Sequence, residues 1–203
     1  MVTSDKEREF FVWVDPAATG IQHNLGLVGS FSGGPHLVPI DGPEGLLFVP
    51  NPNPQARERA LTPFHLGITR DYRVEYNLES LRYQEFRSLP SRFNALFLLD
   101  SREDAQRYRE AEPNHVGNRI LKRGVTSGEY SYSLHDSAWI KFLRLPHSMD
   151  EETICQCGRA YWLGNRVSEM ELISMGRPWA APSVTEVLFY GRIDFPNKAL
   201  TAD

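Results

Sequence analysis

A strand followed at once by a capped helix is the feature that most constrains the fold. The segment Phe93–Leu99 is dense in apolar side chains and ends just before Ser101, which predicts a buried strand. Ser101 predicts the N-cap of a helix, because Glu103 and Asp104 occupy the first turn, where the helix dipole favours negative charge. A unit of this kind requires a fold that combines strands with helices.

The rest of the chain predicts an α+β fold. Two further runs of β-branched and aromatic residues, Phe10–Val14 and Val184–Ile193, predict strands near the two ends, and Asn77 predicts the cap of a short helix over Leu78–Phe86. Dispersed turn residues, 14 prolines and 15 glycines, argue against a helical bundle. We therefore expect one α+β domain over residues 1–203, with residues 17–54 as a long loop or edge-strand region.

Composition gives no support to several classes of protein. The net charge of −4 gives no support to a polyanion-binding surface over the whole protein. No apolar run reaches the roughly 18 residues of a membrane span, and the first residues are charged, unlike a signal sequence. A cytoplasmic protein is expected, and export as an effector by a specialised secretion system stays open.

The two cysteines do not predict a metal site. Cys155 and Cys157 are one residue apart, with no third cysteine to complete a zinc or disulfide framework. We expect two reduced thiols and no metal.

Glu186 is the acidic residue that most needs an explanation. It lies inside the strand Val184–Ile193, and alternation places Val184 and Leu188 on its face. A carboxylate among apolar neighbours either reaches solvent or is held for a purpose. Two interpretations stay open, a functional carboxylate and an edge-strand charge that prevents aggregation.

Several short motifs together resemble the ADP-ribosyltransferase superfamily, the diphtheria-toxin-like enzymes and their relatives. The segment Ser91-Arg92-Phe93, followed by Leu96-Phe97-Leu98 and by a helix with Ala105 and Tyr108, resembles the central motif of that superfamily. Tyr161-Trp162-Leu163-Gly164 and Glu186-Val187-Leu188 through Gly191 resemble its closing part. The order of these motifs is also similar to that of an uncharacterised bacterial family within the superfamily, over roughly residues 60 to 195.

The resemblance implies a split arrangement of mixed or antiparallel sheets with short flanking helices, and an enzyme that uses NAD as a substrate. Glu186 would be the catalytic residue, because a carboxylate offsets the positive charge that grows as the nicotinamide–ribose bond breaks. An aromatic ring would stack on the nicotinamide and hold it. The candidates are the aromatic residues of the motifs, Phe93, Tyr108, Tyr161 and Trp162. Ordinary core packing is the alternative role of each ring.

The resemblance also implies NAD-binding residues. The segment Phe64–Thr69 resembles the superfamily's first strand motif, which makes His65 the candidate for the adenosine side of NAD, although the strand Phe10–Trp13 competes with it. Ser91 and Arg92, at the entrance of the next strand, are candidates for binding NAD. The guanidinium of Arg92 can donate two hydrogen bonds to two oxygens of the pyrophosphate. A surface salt bridge is the alternative role of Arg92.

The expected activity is mono-ADP-ribosylation of a macromolecule, either a protein or a nucleic acid, by a toxin or defence effector with an antitoxin or chaperone as partner. Two alternatives stay open. The chain could be a non-catalytic interaction module with the same fold, or a small hydrolase or nuclease that uses other Glu or His residues.

Overall fold

The computed structural model describes residues 1–33, 63–145, 149–174 and 176–203, and the side chains of residues 63–70 lie outside that description. Contacts divide the chain into a sheet unit, made of Met1–Val38, Ser88–Asp136 and Val184–Asp203, and a helical unit, made of Pro39–Arg87 and Ser137–Ser183. Helices and antiparallel strands occur together, so the α+β prediction is confirmed. A division by contacts does not test independent folding, and the single domain stays a prediction.

Six strands form one sheet in the sheet unit. They are β1 (Val2–Ser4), β2 (Glu9–Val14), β3 (Ser30–Gly33), β4 (Leu96–Leu99), β5 (Ile120–Asp136) and β8 (Thr185–Asp194). Their order is β1-β5-β2-β4-β8-β3, with an additional pairing of β5 with β8, and every described pairing is antiparallel. The pairings among β2, β4, β8 and β5 therefore close into a ring.

The length of β5 makes this closure possible. Its first part, Ile120–Val125, pairs with β2. Residues 125–127 and 131–136 pair with β8, with a register shift between Ser127 and Ser131. Gly124 lies where β5 passes β8, and a Cβ atom there would stand 2.1 Å from Cγ2 of Ile193. A larger residue at that position therefore requires the buried side chain of Ile193 to shift.

Apolar residues cover both faces of the sheet. One cluster consists of aromatic and branched side chains that pack together with Leu25. Its other members are Phe10, Val14, Leu98, Tyr130, Tyr132, Val187, Phe189, Ile193 and Phe195. The other lies beneath the helix that follows β4 and contains Phe11, Leu99, Ala105, Leu121 and Val184. Phe10 and Phe11 belong to different clusters, as expected for adjacent residues of a strand.

The helices of the sheet unit are short. They are α1 (Thr19–Gln22), which continues as a π-helical segment (His23–Val28), α3 (Arg102–Ala111) and α4 (Pro113–Val116). The prediction of a loop or edge-strand region over residues 17–54 thus misses residues 19–28, which are helical, while β3 agrees with it and residues 34–54 lie outside the described residues. Ser101 caps α3 as predicted, accepting a 3.0 Å hydrogen bond from the backbone N–H of Asp104.

The helical unit contains α2 (Pro63–Glu85), α5 (Ala138–Leu143), α6 (Glu151–Leu163), a 3-10 turn (Val167–Glu169) and the hairpin of β6 (Leu172–Ser174) and β7 (Arg177–Trp179). The prediction that a helix begins at Asn77 is wrong. Val74, Leu78 and Leu81 are all buried at helical spacing, and this buried stripe continues the helix across Asn77. In the part of the chain that the structure describes, no helix has the length and apolar character needed to cross a membrane.

A buried lysine fixes the C-terminal segment onto the sheet. The side chain of Lys122 is 0% exposed, and its Nζ donates to the carbonyl oxygens of Ala199 and Thr201, each at 3.2 Å, and to Oδ1 of Asp203 at 2.7 Å. Oδ2 of Asp203 accepts from the backbone N–H of Arg123 at 2.7 Å. Partial burial opposes ionisation of Asp203, but hydrogen bonds, first of all from Lys122, outweigh it and hold its pKa below the ordinary value.

Replacing Asp203 with alanine is expected to lower the free energy of unfolding by about 3 kcal/mol, because a buried ammonium loses its carboxylate partner. Urea unfolding at neutral pH measures the loss. The control is Asp5→Ala, which removes an exposed aspartate and should change stability by no more than about 0.5 kcal/mol. Equal losses in the two variants would contradict a clamp at Lys122.

The same contact predicts a pH dependence. Because the pKa of Asp203 is lower in the folded than in the unfolded protein, its contribution to stability is present above the unfolded value of about 4 and is lost as the pH falls through the folded value. Between about pH 7 and pH 3, the wild-type protein should therefore lose more unfolding free energy than Asp203→Asn, which has no carboxyl group to protonate. Parallel pH profiles would refute the assignment.

Candidate active site

Glu186 lies on an interior strand of the sheet. It is opposite Leu99 of β4 on one side and opposite His135 of β5 on the other. As alternation predicts, Val184 and Leu188 share its face, and both are buried. The side chain of Glu186 is itself only 12% exposed. The edge-strand interpretation is therefore wrong, because β8 has hydrogen-bonded neighbours on both sides at this point.

Ser91 shapes the turn that leads into β4. Its carbonyl oxygen accepts from the backbone N–H of Ala95 at 2.9 Å, and its Oγ accepts from the backbone N–H of Phe93 at 3.2 Å. Its own backbone N–H donates to Oη of Tyr190 on β8, at 2.7 Å. Ser91 is buried, and these contacts hold the turn against β8. They thereby fix the backbone position of Arg92, the next residue.

Arg92 makes an ion pair with Glu186. Nη1 of Arg92 lies 2.5 Å from Oε1 of Glu186, and the arginine side chain is 5% exposed. The guanidinium carbon also lies 4.9 Å from the centre of the Phe97 ring. Such burial rules out the alternative of a surface salt bridge. Arg92 and Glu186, both predicted to belong to the site, are 94 positions apart in the sequence but are in direct contact.

Two exposed aromatic rings lie close to this ion pair along the chain. Phe93 is 42% exposed and follows Arg92 directly, whereas Phe97 is 44% exposed and carries the guanidinium against its face. Single exposed rings are ordinary on a protein surface, but these two offer a ligand beside the ion pair a large apolar area to cover. Phe93 is the predicted NAD-binding ring whose surface is available.

His135 was not among the site residues predicted from the sequence. It is opposite Glu186 in register, so the two side chains leave the sheet on the same face. His135 is 3% exposed, and its Nε2 lies 2.7 Å from Oγ of Ser133. The sequence does contain a pattern that points to His135. Ser131, Ser133 and His135 place polar side chains at every second position, which is one face of a strand.

Tyr108 is the remaining predicted ring of the sheet unit. It lies in α3, is partly buried, and packs against the cluster that contains Phe11 and Ala105. Its ring meets His115 edge to face, with 5.9 Å between the ring centres. These contacts agree with the alternative role of core packing.

The other three predicted binding residues belong to the helical unit. Tyr161 and Trp162 lie in α6, where they are 0% and 3% exposed, and Nε1 of Trp162 donates to the carbonyl oxygen of Leu78 at 2.9 Å. Their rings therefore form the core of that unit and leave almost no surface for nicotinamide. His65 lies in the first turn of α2, so its predicted place on a strand is wrong, and its side chain is outside the described residues.

The cysteines lie on α6, with Cys155 half-buried and Cys157 buried. Burial raises the pKa of the Cys157 thiol to about 11, which keeps it protonated and unreactive at neutral pH. Among the described residues, no group of three or more His, Cys, Asp or Glu side chains is arranged to hold a metal ion.

A double-mutant cycle is expected to give a coupling free energy of about 2 kcal/mol between Arg92 and Glu186, because each single alanine variant leaves a buried charge alone. Urea unfolding of both singles and the double variant measures it. The control cycle uses Arg192 and Asp194, an exposed pair on the same strand, and should give less than about 1 kcal/mol. Coupling as small as that of the control would show that the buried contact does not form.

Comparison with known proteins identifies a family but no activity. Residues 53–177 match the profile of DUF2441, described as a protein of unknown function. The matched segment includes Ser91, Arg92 and Phe93 and ends before β8, so Glu186 lies outside it. No curated protein matches the chain. Since the match covers more than half of the residues, the chain belongs to the DUF2441 family.

Proposed function

We propose that the chain is an NAD-dependent mono-ADP-ribosyltransferase with an ADP-ribosyltransferase-like fold, acting on a protein or a nucleic acid. The observation that carries the proposal is the contact between Arg92 and Glu186, which joins the entrance of β4 to the start of β8. These are the two positions that the motif resemblance assigns to NAD binding and to catalysis. A toxin or defence role, with an antitoxin or chaperone that restrains it, follows from the same resemblance.

The proposed reaction breaks the bond between nicotinamide and C1′ of the ribose. Its electron pair leaves with nicotinamide, and C1′ becomes oxocarbenium-like before an acceptor nucleophile bonds to it and releases a proton. The carboxylate of Glu186 would offset the positive charge on the ribose and hold a ribose hydroxyl. The rigid sheet position of Glu186 suits this role, because a preorganised charge needs no rearrangement during the reaction.

Arg92 would have two partners in the reaction cycle. Without substrate its guanidinium neutralises Glu186, at 2.5 Å. A guanidinium can donate two parallel hydrogen bonds to two oxygens of the NAD pyrophosphate. Substrate would therefore compete with Glu186 for Arg92. Loss of this counter-charge would strengthen the electrostatic effect of Glu186 on the ribose at the moment when NAD is bound. The exposed ring of Phe93 would then supply the nicotinamide contact.

One observation favours the non-catalytic alternative. Three cavities formed by described residues, with volumes of about 500, 680 and 300 Å³, are lined neither by Arg92 nor by Glu186. An interaction module would use the buried ion pair only to fix the turn before β4. The two functions differ in whether NAD is consumed.

Release of nicotinamide from labelled NAD tests the proposal. Glu186→Gln is expected to lower the rate by at least about 10²-fold, because the amide can still accept from Arg92 but cannot balance an oxocarbenium charge. The matched control is Glu129→Gln, which changes an exposed glutamate of β5 in the same way and should keep the wild-type rate.

A label on the adenylate part of NAD stays with the transferred ADP-ribose. Separate incubations with protein and with nucleic acid then show which of the two becomes labelled. A loss below about tenfold in Glu186→Gln, with both variants folded, would remove Glu186 from catalysis. Wild-type protein that neither binds nor consumes NAD would favour the interaction module.

A further inference from the structure

A second candidate site lies on the sheet unit, at a cavity of about 680 Å³. Arg102 and Arg109 of α3 line it, together with Arg119 before β5, Trp13 of β2 and Asp203. This volume is within the range of small-molecule sites. None of these five residues belongs to the site around Glu186.

The three arginines have an unusual set of partners. Nη1 of Arg102 donates to the backbone oxygen of Asp203 at 3.2 Å, and the guanidinium of Arg109 lies over the indole of Trp13, 4.8 Å from the ring centre. In the part of the chain that the structure describes, no carboxylate side chain pairs with Arg102, Arg109 or Arg119. By contrast, Arg107 of the same helix pairs with Asp104.

The carboxylates near the cavity do not balance this charge. Asp203 lines the cavity, but its oxygens accept from Nζ of Lys122, from the backbone N–H of Arg123 and from Asn197. Its charge is therefore already matched by the buried ammonium of Lys122. Glu103, which is exposed in the first turn of α3, is the other carboxylate of the lining. Arg102 thus donates to the main chain of Asp203, whereas Arg109 and Arg119 have no carboxylate side chain as a partner among the described residues.

Hydrogen bonds hold two residues of the lining in place. Nε1 of Trp13 donates to the carbonyl oxygen of Ala105 at 3.2 Å, which fixes the indole that supports Arg109. Asp203 is fixed by the clamp at Lys122. A guanidinium that is already oriented loses less conformational entropy when it binds an anion.

We propose that this cavity binds a phosphate-bearing small molecule through Arg102, Arg109 and Arg119. Phosphate fits better than a carboxylate, because its three or four oxygens can accept from several guanidinium groups at once, and these arginines come from α3 and from the segment before β5. The ligand is either a nucleotide or a non-nucleotide phosphate ester such as a sugar phosphate. The proposal does not depend on ADP-ribosyltransferase activity.

Calorimetric titration of the full chain with pyrophosphate tests the site. Arg109→Gln/Arg119→Gln should weaken binding by at least about tenfold, because two charge-assisted contacts are lost. The matched control is Arg107→Gln/Arg192→Gln, which removes the same charge from exposed arginines outside the cavity and should weaken binding by less than about twofold.

Two further ligands separate the sources of phosphate. AMP that binds more tightly than ribose 5-phosphate would support a nucleotide, and equal binding would support a phosphate ester in general. The proposal is overturned if pyrophosphate shows no saturable binding, or if both double variants lose affinity equally while keeping the wild-type unfolding temperature.

Discussion

The pairing of β8 with strands on both of its sides is the constraint on which the sheet unit depends. β4 lies along one side and β5 along the other, and β5 continues to β2, which returns to β4. Each pairing in this ring fixes the register of the next one, because a shift by one residue would turn every side chain to the opposite face. Glu186 has a fixed position for this reason, since it is held in register with Leu99 and His135 at once.

Two buried cations tie irregular segments to this sheet. Arg92 connects the turn before β4 to Glu186, and Lys122 connects the C-terminal segment to β5. Each cation costs desolvation free energy, which is offset only while its carboxylate partner stays in place. The two contacts differ in surroundings, because Lys122 also has two backbone carbonyl acceptors whereas Arg92 rests on the exposed ring of Phe97. Both contacts are therefore sensitive to the loss of a single side chain.

Local signals in the sequence predicted local structure well. The cap at Ser101 and the strand around Glu186 depend on neighbouring residues, and both were predicted. The full length of β5 and the start of α2 were missed, because they depend on contacts with distant residues that outweigh local preference. For the site, alternation selected Glu186 and motif resemblance selected Arg92, but the register that places His135 opposite Glu186 is a tertiary property. The predicted strand at His65 was wrong, because a short motif match cannot distinguish a strand from the first turn of a helix. The role of His65 in NAD binding stays a prediction.

The sheet unit is assembled from three separated stretches of chain, and this has a consequence for biosynthesis. The first two stretches, through Asp136, emerge from the ribosome well before β8. Until then neither β4 nor the last part of β5 can pair with β8. Closing the ring requires contacts between residues far apart in the chain, which are slow to form. The closed ring and the contact between Arg92 and Glu186 both need β8, so a nascent chain interrupted before Thr185 would have neither.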